Sequence, residues 1–406
     1  MSQELARTLI KDFRYLEECP HSGNLQDILK LLAENKVKQA SEVLWKDNPF
    51  PHIALKLCAW EKYFSASTQE DMEKIFESLP APAPEKHKKT GKKIGIVGSG
   101  VCGMAASHYL SEKGYDVTVY EALPKPGGFL QYAVPNFVFP KDMLHAEIEK
   151  LEKMGVTFET NKIVGQCTDL QDLQEKYDSL LLAAGESHPN FIKLEGQHLP
   201  NVYYAHEYLC RINMLQADKY PKFKTPILSA KNVVVVGGGD MAVYCARMAK
   251  SMGSEVTLAY RRSVHEMNAR QHEIQNAKNE GVKFLEMTQP VKIEGNGTVN
   301  CVKMVQMMLE AEDELGRRAP IPLEDTEYSM PIDQVILAVG QVQNPVLLRN
   351  TSLRTGFGNK VMVDDMNRTS CPGIFAAGDL VRPSNDIRTA IASGTKVAEH
   401  MSQFLK

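Results

Sequence analysis

Two glycine-rich runs hold the residues from which chemistry could be built. The first is Gly98-Ser99-Gly100-Val101-Cys102-Gly103, and the second is Gly237-Gly238-Gly239-Asp240-Met241-Ala242. In the G-x-G-x-x-G spacing the first glycine permits a tight turn and the second lets backbone approach a pyrophosphate. The third lets the following helix pack close to the preceding strand. The anion then rests on the helix N-terminus, where unpaired amides and the helix dipole meet it. Gly98, Gly100 and Gly103 would form one such cradle. Gly237, Gly239, Asp240, Met241 and Ala242 would form another, with alanine in the third position. The bland alternative for either run is a glycine-rich turn without a ligand.

The two runs lead to different side chains. Glu121 closes the β-branched stretch Val117-Thr118-Val119-Tyr120, 23 residues after Gly98, where a carboxylate can accept hydrogen bonds from both ribose hydroxyls. After the second run the matching stretch ends at Tyr260, and Arg261-Arg262 stand in place of an acid. A carboxylate there would repel the 2′-phosphate of NADP, whereas guanidinium groups can hydrogen-bond it in a planar fork. The alternative is two surface arginines paired with Glu266 or Glu273. Gly127-Gly128 lies shortly after Glu121, and Gly378-Asp379 closes a late apolar stretch. Alone, Gly-Asp is an ordinary turn. In this order, a G-x-G-x-x-G run, an acid, a Gly-Gly pair and a distant Gly-Asp are the parts of a flavoprotein with two dinucleotides. Asp379 would then reach the ribityl hydroxyls of a flavin, which makes the first cradle an FAD site and the second an NADPH site.

The elements that must position these residues are legible as short β-branched runs alternating with helical segments. Ile94–Val97, Val117–Tyr120, Leu180–Leu182, Val233–Val236, Val256–Leu258 and Val335–Leu337 read as parallel strands buried on both faces. The alternation predicts an α/β fold, with the same strand, glycine loop, helix and strand occurring at 94–121 and 233–262. Residues 1–78 read instead as all-α: Leu25, Ile28, Leu31, Leu32 and Val37 recur at helical spacing, and Ser67 with Glu70 could form a capping box. Residues 79–92, a Pro/Ala stretch followed by a lysine-rich run, read as a linker whose lysines are solvated or form a docking patch.

Composition narrows the class. The chain has 406 residues, 47 Lys and Arg against 50 Asp and Glu, and a net charge of −3. That balance offers no whole-chain attraction for nucleic acid or an anionic membrane. No apolar run reaches the roughly 18 residues that span a bilayer. The charged N-terminal turns lack a signal peptide's apolar centre, and the eight cysteines include no C-x-x-C pair. These features predict a cytoplasmic protein with reduced thiols and no metal site.

With these motifs in hand, residues 92–406 resemble the FAD/NADPH module of the glutamate synthase small subunit, found also in dihydropyrimidine dehydrogenase and, more distantly, adrenodoxin reductase. Besides the glycine loops, the resemblance rests on Tyr120-Glu121-Ala122 through Gly127-Gly128 and on Pro135-Asn136-Phe137-Val138-Phe139-Pro140-Lys141. Tyr260-Arg261-Arg262 through Glu266-Met267, and Ile374-Phe375-Ala376-Ala377-Gly378-Asp379 with Thr389-Ala390-Ile391, complete it. It implies two Rossmann-type domains, with an NADPH domain at 201–341 inserted into an FAD domain made of 93–200 and 342–406. It also implies that Ala184, Asn385, Ile387 and Thr389 approach the cofactors. The departures matter as much. Cys19 and Cys58 keep part of a cysteine frame that holds iron–sulfur clusters in the family, but Tyr15 and Phe64 stand where further cysteines would be. Two thiols cannot hold a cluster that needs four ligands. Residues 1–78 therefore resemble a cluster domain without clusters. Asn136 and Val138 replace an acid and an arginine at positions that the resemblance places near the flavin.

The function implied is an NADPH-dependent FAD oxidoreductase. It would pass a hydride from NADPH to FAD and electrons onward to a small-molecule acceptor or a redox partner protein, with no side-chain general acid in the first half. A different reading is a non-catalytic or accessory electron-transfer subunit that docks on a larger enzyme such as a glutamate synthase-like complex. A third supplies the clusters from another subunit. Cys102 and Cys245 lack the neighbouring cysteine a dithiol relay would need.

Overall fold

A computed structural model describes residues 2–11, 22–46, 48–57, 66–81, 88–224, 226–228, 230–312, 318–349, 351–384 and 386–406. The chain divides into two compact units. One comprises Met1–Gln131, Val138–Glu186 and Gln343–Lys406, and the other Tyr132–Phe137 and Ser187–Val342.

The first unit is built on a five-stranded parallel sheet. Its strands run in the order Ile374–Ala376, Ser179–Leu182, Lys93–Val97, Asp116–Tyr120 and Thr157–Glu159. Ile94, Ile96, Leu180, Leu181 and Leu182 are buried, which is why these runs read as continuous apolar stretches rather than alternating ones. The helix Val101–Glu112 leaves the first glycine run, and the C-terminal helix Ile387–Phe404 packs on it. Close approach is possible because Gly394 faces Cys102: a Cβ at Gly394 would meet the Cys102 carbonyl oxygen at 2.2 Å.

Before this sheet come the helices Ser2–Lys11, Ser22–Ala33, Val37–Lys46, Pro51–Leu57 and Ala66–Glu77. Leu25, Ile28, Leu29 and Leu32 form one face at helical spacing and share a core with Leu44 and Ile75. The helix Ala66–Glu77 already contains Ser67, so Ser67 and Glu70 lie inside its first turns. Leu79 is buried in this core, and the exposed lysines beyond it pair with the sheet's rim, Lys89 with Asp116 and Lys92 with Asp178 at 2.9 Å. Phe50 meets His108 of the helix Val101–Glu112 edge to face at 6.2 Å, and the ammonium of Lys150, on the helix Lys141–Lys153, sits 4.0 Å from the Trp45 ring centroid, tying the N-terminal helices to those beside the sheet.

The second unit repeats the plan. Its parallel sheet runs Val202–Tyr204, Gln334–Leu337, Asn232–Val236, Glu255–Ala259 and Lys283–Leu285. Added to it is an antiparallel sheet of Thr288–Gly295, Val299–Glu312, Arg318–Pro322 and Tyr328–Pro331. Ile293, Val302 and Met304 from this sheet share a core with Val234, Val236 and Leu337 of the parallel one. A short antiparallel pair, His188–Pro189 with Gln341–Val342, marks where the chain enters and leaves the unit. Among the described residues, no helix is long and apolar enough to cross a membrane.

Candidate functional site

The first glycine run follows the strand Lys93–Val97 at its carboxyl end. Gly98 has φ +107°, and a Cβ there would lie 2.4 Å from the Ala183 carbonyl oxygen and 2.9 Å from the Ala184 Cα. A side chain at Gly103 would press within 2.0 Å of the Gly98 carbonyl oxygen. Gly100 differs from both. Its φ of −65° and ψ of 176° suit any residue, and no atom lies within 4 Å of where its Cβ would be. The fold does not require glycine at 100. Gly128, at φ +52°, comes against Gly100, since a Cβ on it would stand 2.7 Å from the Gly100 Cα.

Glu121 is buried just past the strand Asp116–Tyr120. Its Oε2 accepts from the Ser99 amide at 3.2 Å and from the Ser99 hydroxyl, while its Oε1 accepts from the Leu123 amide at 2.9 Å. The same Ser99 oxygen accepts from the Gly127 amide at 2.9 Å. Ser99 therefore links the glycine loop, the acid and the Gly-Gly pair. Sequence reasoning passed over it as a variable position of the motif; its small hydroxyl was the available signal.

Gly378 and Asp379 lie in a single 3-10 turn after the strand Ile374–Ala376. Gly378 has φ +67°, and its amide donates to Ser393 Oγ at 3.0 Å. Asp379 Oδ1 accepts from the Ser384 amide at 2.5 Å, and its carbonyl accepts from Lys360 Nζ at 2.5 Å. Thr389 lies in the first turn of the C-terminal helix, with its amide and hydroxyl donating to the capping Asp386 at 2.8 and 3.1 Å. The partly buried Ile387 side chain packs against the N-terminal helical core. Asn385 falls outside the described residues, as do Tyr15, Cys19, Cys58 and Phe64.

In the second unit Gly237, with φ +146°, turns the chain beside Ala338, whose carbonyl oxygen would lie 2.3 Å from an added Cβ. Gly239 repeats the signature of Gly100: φ −98°, ψ 174°, and open space where a Cβ would stand. Ala242 is fully buried and Met241 half-buried at the start of the helix Asp240–Ser251. Asp240 is engaged by Arg270, whose amide donates to Oδ1 at 2.9 Å and whose Nε lies 3.3 Å from Oδ2. Arg270 was not anticipated, because its partner lies 30 residues away with no local pattern joining them.

The two arginines follow the strand Glu255–Ala259, one residue beyond Tyr260. Of the acids that could pair with them, Glu266 feels the Arg262 charge but takes its hydrogen bonds from Ser263, and Glu273 is engaged by other residues. Glu266 accepts from the Ser263 amide at 3.2 Å and hydroxyl at 2.9 Å. Glu273 is buried against Arg247, Arg270 and His272. Arg261 is exposed, and Arg262 Nε is buried with no hydrogen-bond partner among the described residues. Phe137 belongs to the same unit and lies 4.4 Å from the Arg247 guanidinium, while the Tyr132 carbonyl accepts from Asn213 Nδ2 at 3.0 Å. The segment with the Asn136 and Val138 departures thus begins as part of the second unit and ends, at Val138, in the first.

Burial pushes the Cys102 thiol up to about 12, a setting that disfavours the thiolate. Cys245 is likewise buried and raised. Among the described residues, no group of three His, Cys, Asp or Glu side chains is placed to hold a metal ion.

A family model for pyridine nucleotide-disulphide oxidoreductases matches residues 92–395. The chain belongs to that family. It is an NADPH-dependent flavin oxidoreductase, with FAD and NADPH as its cofactors. This oxidoreductase is 32% identical over 415 residues to the glutamate synthase [NADPH] small chain of Escherichia coli, covering 96% of its own length and 88% of the relative's. It is 34% identical over 326 residues to the NADP(+)-dependent formate dehydrogenase subunit beta of Moorella thermoacetica, covering 78% of its own length but only 44% of that protein. Its fold is similar to that of Mycobacterium tuberculosis FprA in complex with NADPH. The TM-score is 0.66 at 19% identity, over 77% of this chain and 84% of that one.

Proposed function

We propose that the first cradle (Gly98, Gly100, Gly103, Glu121, Gly128, Ala184, Gly378, Asp379, Ile387 and Thr389) holds FAD. The second cradle (Gly237, Gly239, Asp240, Met241, Ala242, Arg261 and Arg262) holds NADPH. One observation carries this reading: Gly100 and Gly239 have backbone angles open to any residue and empty space where a side chain would be. Glycine there serves an approaching phosphate rather than the fold. The exposed Arg261, followed by Arg262 just past the strand Glu255–Ala259, supports a 2′-phosphate over a bare ribose.

When bound, the nucleotides supply the hydride chemistry. The chain's residues bind, orient and exclude water: Ser99 holds Glu121 in its buried position, and Lys360 and Ser384 fix the Asp379 turn. The proposed division assigns 93–200 and 342–406 to an FAD domain, 201–341 to an NADPH domain, and 1–78 to a helical domain joined by 79–92, while residues 132–137 and 187–200 pack with the second unit. The onward acceptor is a diffusible small molecule or a redox protein. Purified chain is expected to be yellow and to bleach anaerobically with NADPH but much less with NADH. Colourless protein that cannot be reconstituted with FAD overturns the reading. An anaerobic screen of flavodoxin, ferredoxin, quinones, disulfides and ferric chelates then identifies the acceptor class.

The relatives' designations as small chain and subunit beta favour a second reading, an electron-transfer subunit of a larger complex. Stoichiometric co-purification of a larger redox protein with the full chain would support it. Full turnover of a diffusible acceptor by the isolated chain would count against it.

A further inference from the structure

Phe191 is a large aromatic residue left 60% exposed, yet it is held firmly in place. Its ring meets Tyr204 edge to face at 4.9 Å and 83°, and His188 at 5.1 Å and 80°. Tyr204 is fixed in turn by its hydroxyl, which donates to Gln197 Oε1 at 2.7 Å. The neighbouring Asn190 amide donates to the Gly340 carbonyl at 3.1 Å. All of these residues belong to the second unit.

Their place in its sheet is the informative point. Leu337 pairs with Tyr204 on one side and Val236 on the other, and Val236 pairs with Ala259, so these four residues lie level at the carboxyl edge. From Asn232–Val236 the chain steps through Glu255–Ala259 to Lys283–Leu285 on one side, and returns to Gln334–Leu337 on the other. The strand order therefore reverses between Asn232–Val236 and Gln334–Leu337, and a dinucleotide lies across the carboxyl edge at such a reversal. Arg261 and Arg262 follow Ala259 on the first side and claim the adenosine half. The other half must extend over Gln334–Leu337 toward the edge strand that ends in Tyr204. Gly340, at φ +101° with nothing within 4 Å of an added Cβ, leaves that stretch of the edge open.

We propose that Phe191, braced by Tyr204 and His188, is the stacking surface for the nicotinamide half of the nucleotide. This deepens the assignment of the second cradle and rests on it. In NADP+, the form used as the probe, the nicotinamide is a flat cationic ring and is drawn to an aromatic face. Such a contact orients the ring without requiring a polar partner.

The test compares two probes on the full chain, in wild type, Phe191→Ala and Phe191→Trp. NADP+ carries both halves of the nucleotide, and adenosine 2′,5′-bisphosphate carries only the half that the arginines address. Phe191→Ala should weaken NADP+ binding roughly three- to tenfold, the worth of one aromatic contact, and leave adenosine 2′,5′-bisphosphate unchanged. Phe191→Trp should restore NADP+ affinity. Equal weakening of both probes reveals a structural role and overturns the proposal, as does unchanged binding of both. If wild type binds neither probe, the cradle assignment itself fails, and this inference with it.

Discussion

Ser99 and Glu121 close the first cradle from opposite ends of a 22-residue separation, with the serine amide and hydroxyl both donating to one buried carboxylate oxygen. The carboxylate is thereby fixed by the chain itself. Ser99→Ala removes one donor and the acceptor for the Gly127 amide. FAD retention should weaken by on the order of 1–2 kcal/mol, close to tenfold in the reconstitution Kd. An unchanged Kd would show that the serine plays no part in organising the cradle.

The glycines of the first run should separate by function. Gly100→Ala places its Cβ in open space, so the unfolding temperature without nucleotide should move little while FAD binding weakens. Gly103→Ala instead forces a Cβ against the Gly98 carbonyl and should cost about 1–3 kcal/mol of stability from overpacking. Thermal melts of flavin-free protein, read beside the flavin absorbance of the purified variants, check both outcomes.

Cofactor preference should follow the arginines. The Arg261→Ala, Arg262→Ala double variant is expected to lose about 1–3 kcal/mol of NADPH transition-state binding per charge-assisted bond removed, with kcat/KM for NADH little affected. Equal losses with both nucleotides would return the pair to the surface.

Acid should loosen the contact between the N-terminal helices and the helix Val101–Glu112. Burial, assisted by the nearby Lys150 charge, lowers the His108 pKa to about 3 from an ordinary 6.5. Unfolded protein therefore binds an extra proton between those values, and stability rises with pH across the window. From pH 6.5 down to about 3 this site should remove stability at up to about 1.4 kcal/mol per pH unit. Below that window its contribution is flat. His108→Gln should show a shallower acid limb in denaturant titrations, and an identical limb would assign the acid response to other groups.

Much of the fold was legible because its central strands are Val- and Ile-rich runs buried on both faces, as at Val233–Val236. The antiparallel sheet was not. Val299–Glu312 mixes Met, Gln, Lys and Glu, and Pro290 and Pro331 interrupt its neighbours. Such edge-rich, half-exposed strands carry no strong period to distinguish them from loops. At the site the motif glycines and Glu121 could be read from spacing alone. Ser99 and Arg270 could not, because their roles depend on partners brought near only by folding, and neither could Phe191, whose neighbour Tyr204 is a strand terminus.

The chain passes from one unit to the other after Gln131, Phe137, Glu186 and Val342, so neither unit is a continuous stretch of sequence. During synthesis, Ser179–Leu182 must wait for its outer neighbour Ile374–Ala376 until residues 183–373 have been made. A strand edge open for so long is a site for mispairing between nascent chains. Loss of the chain from Ile374 onward should therefore do disproportionate harm: it leaves the first unit's parallel sheet without its border and the helix Val101–Glu112 without its cover.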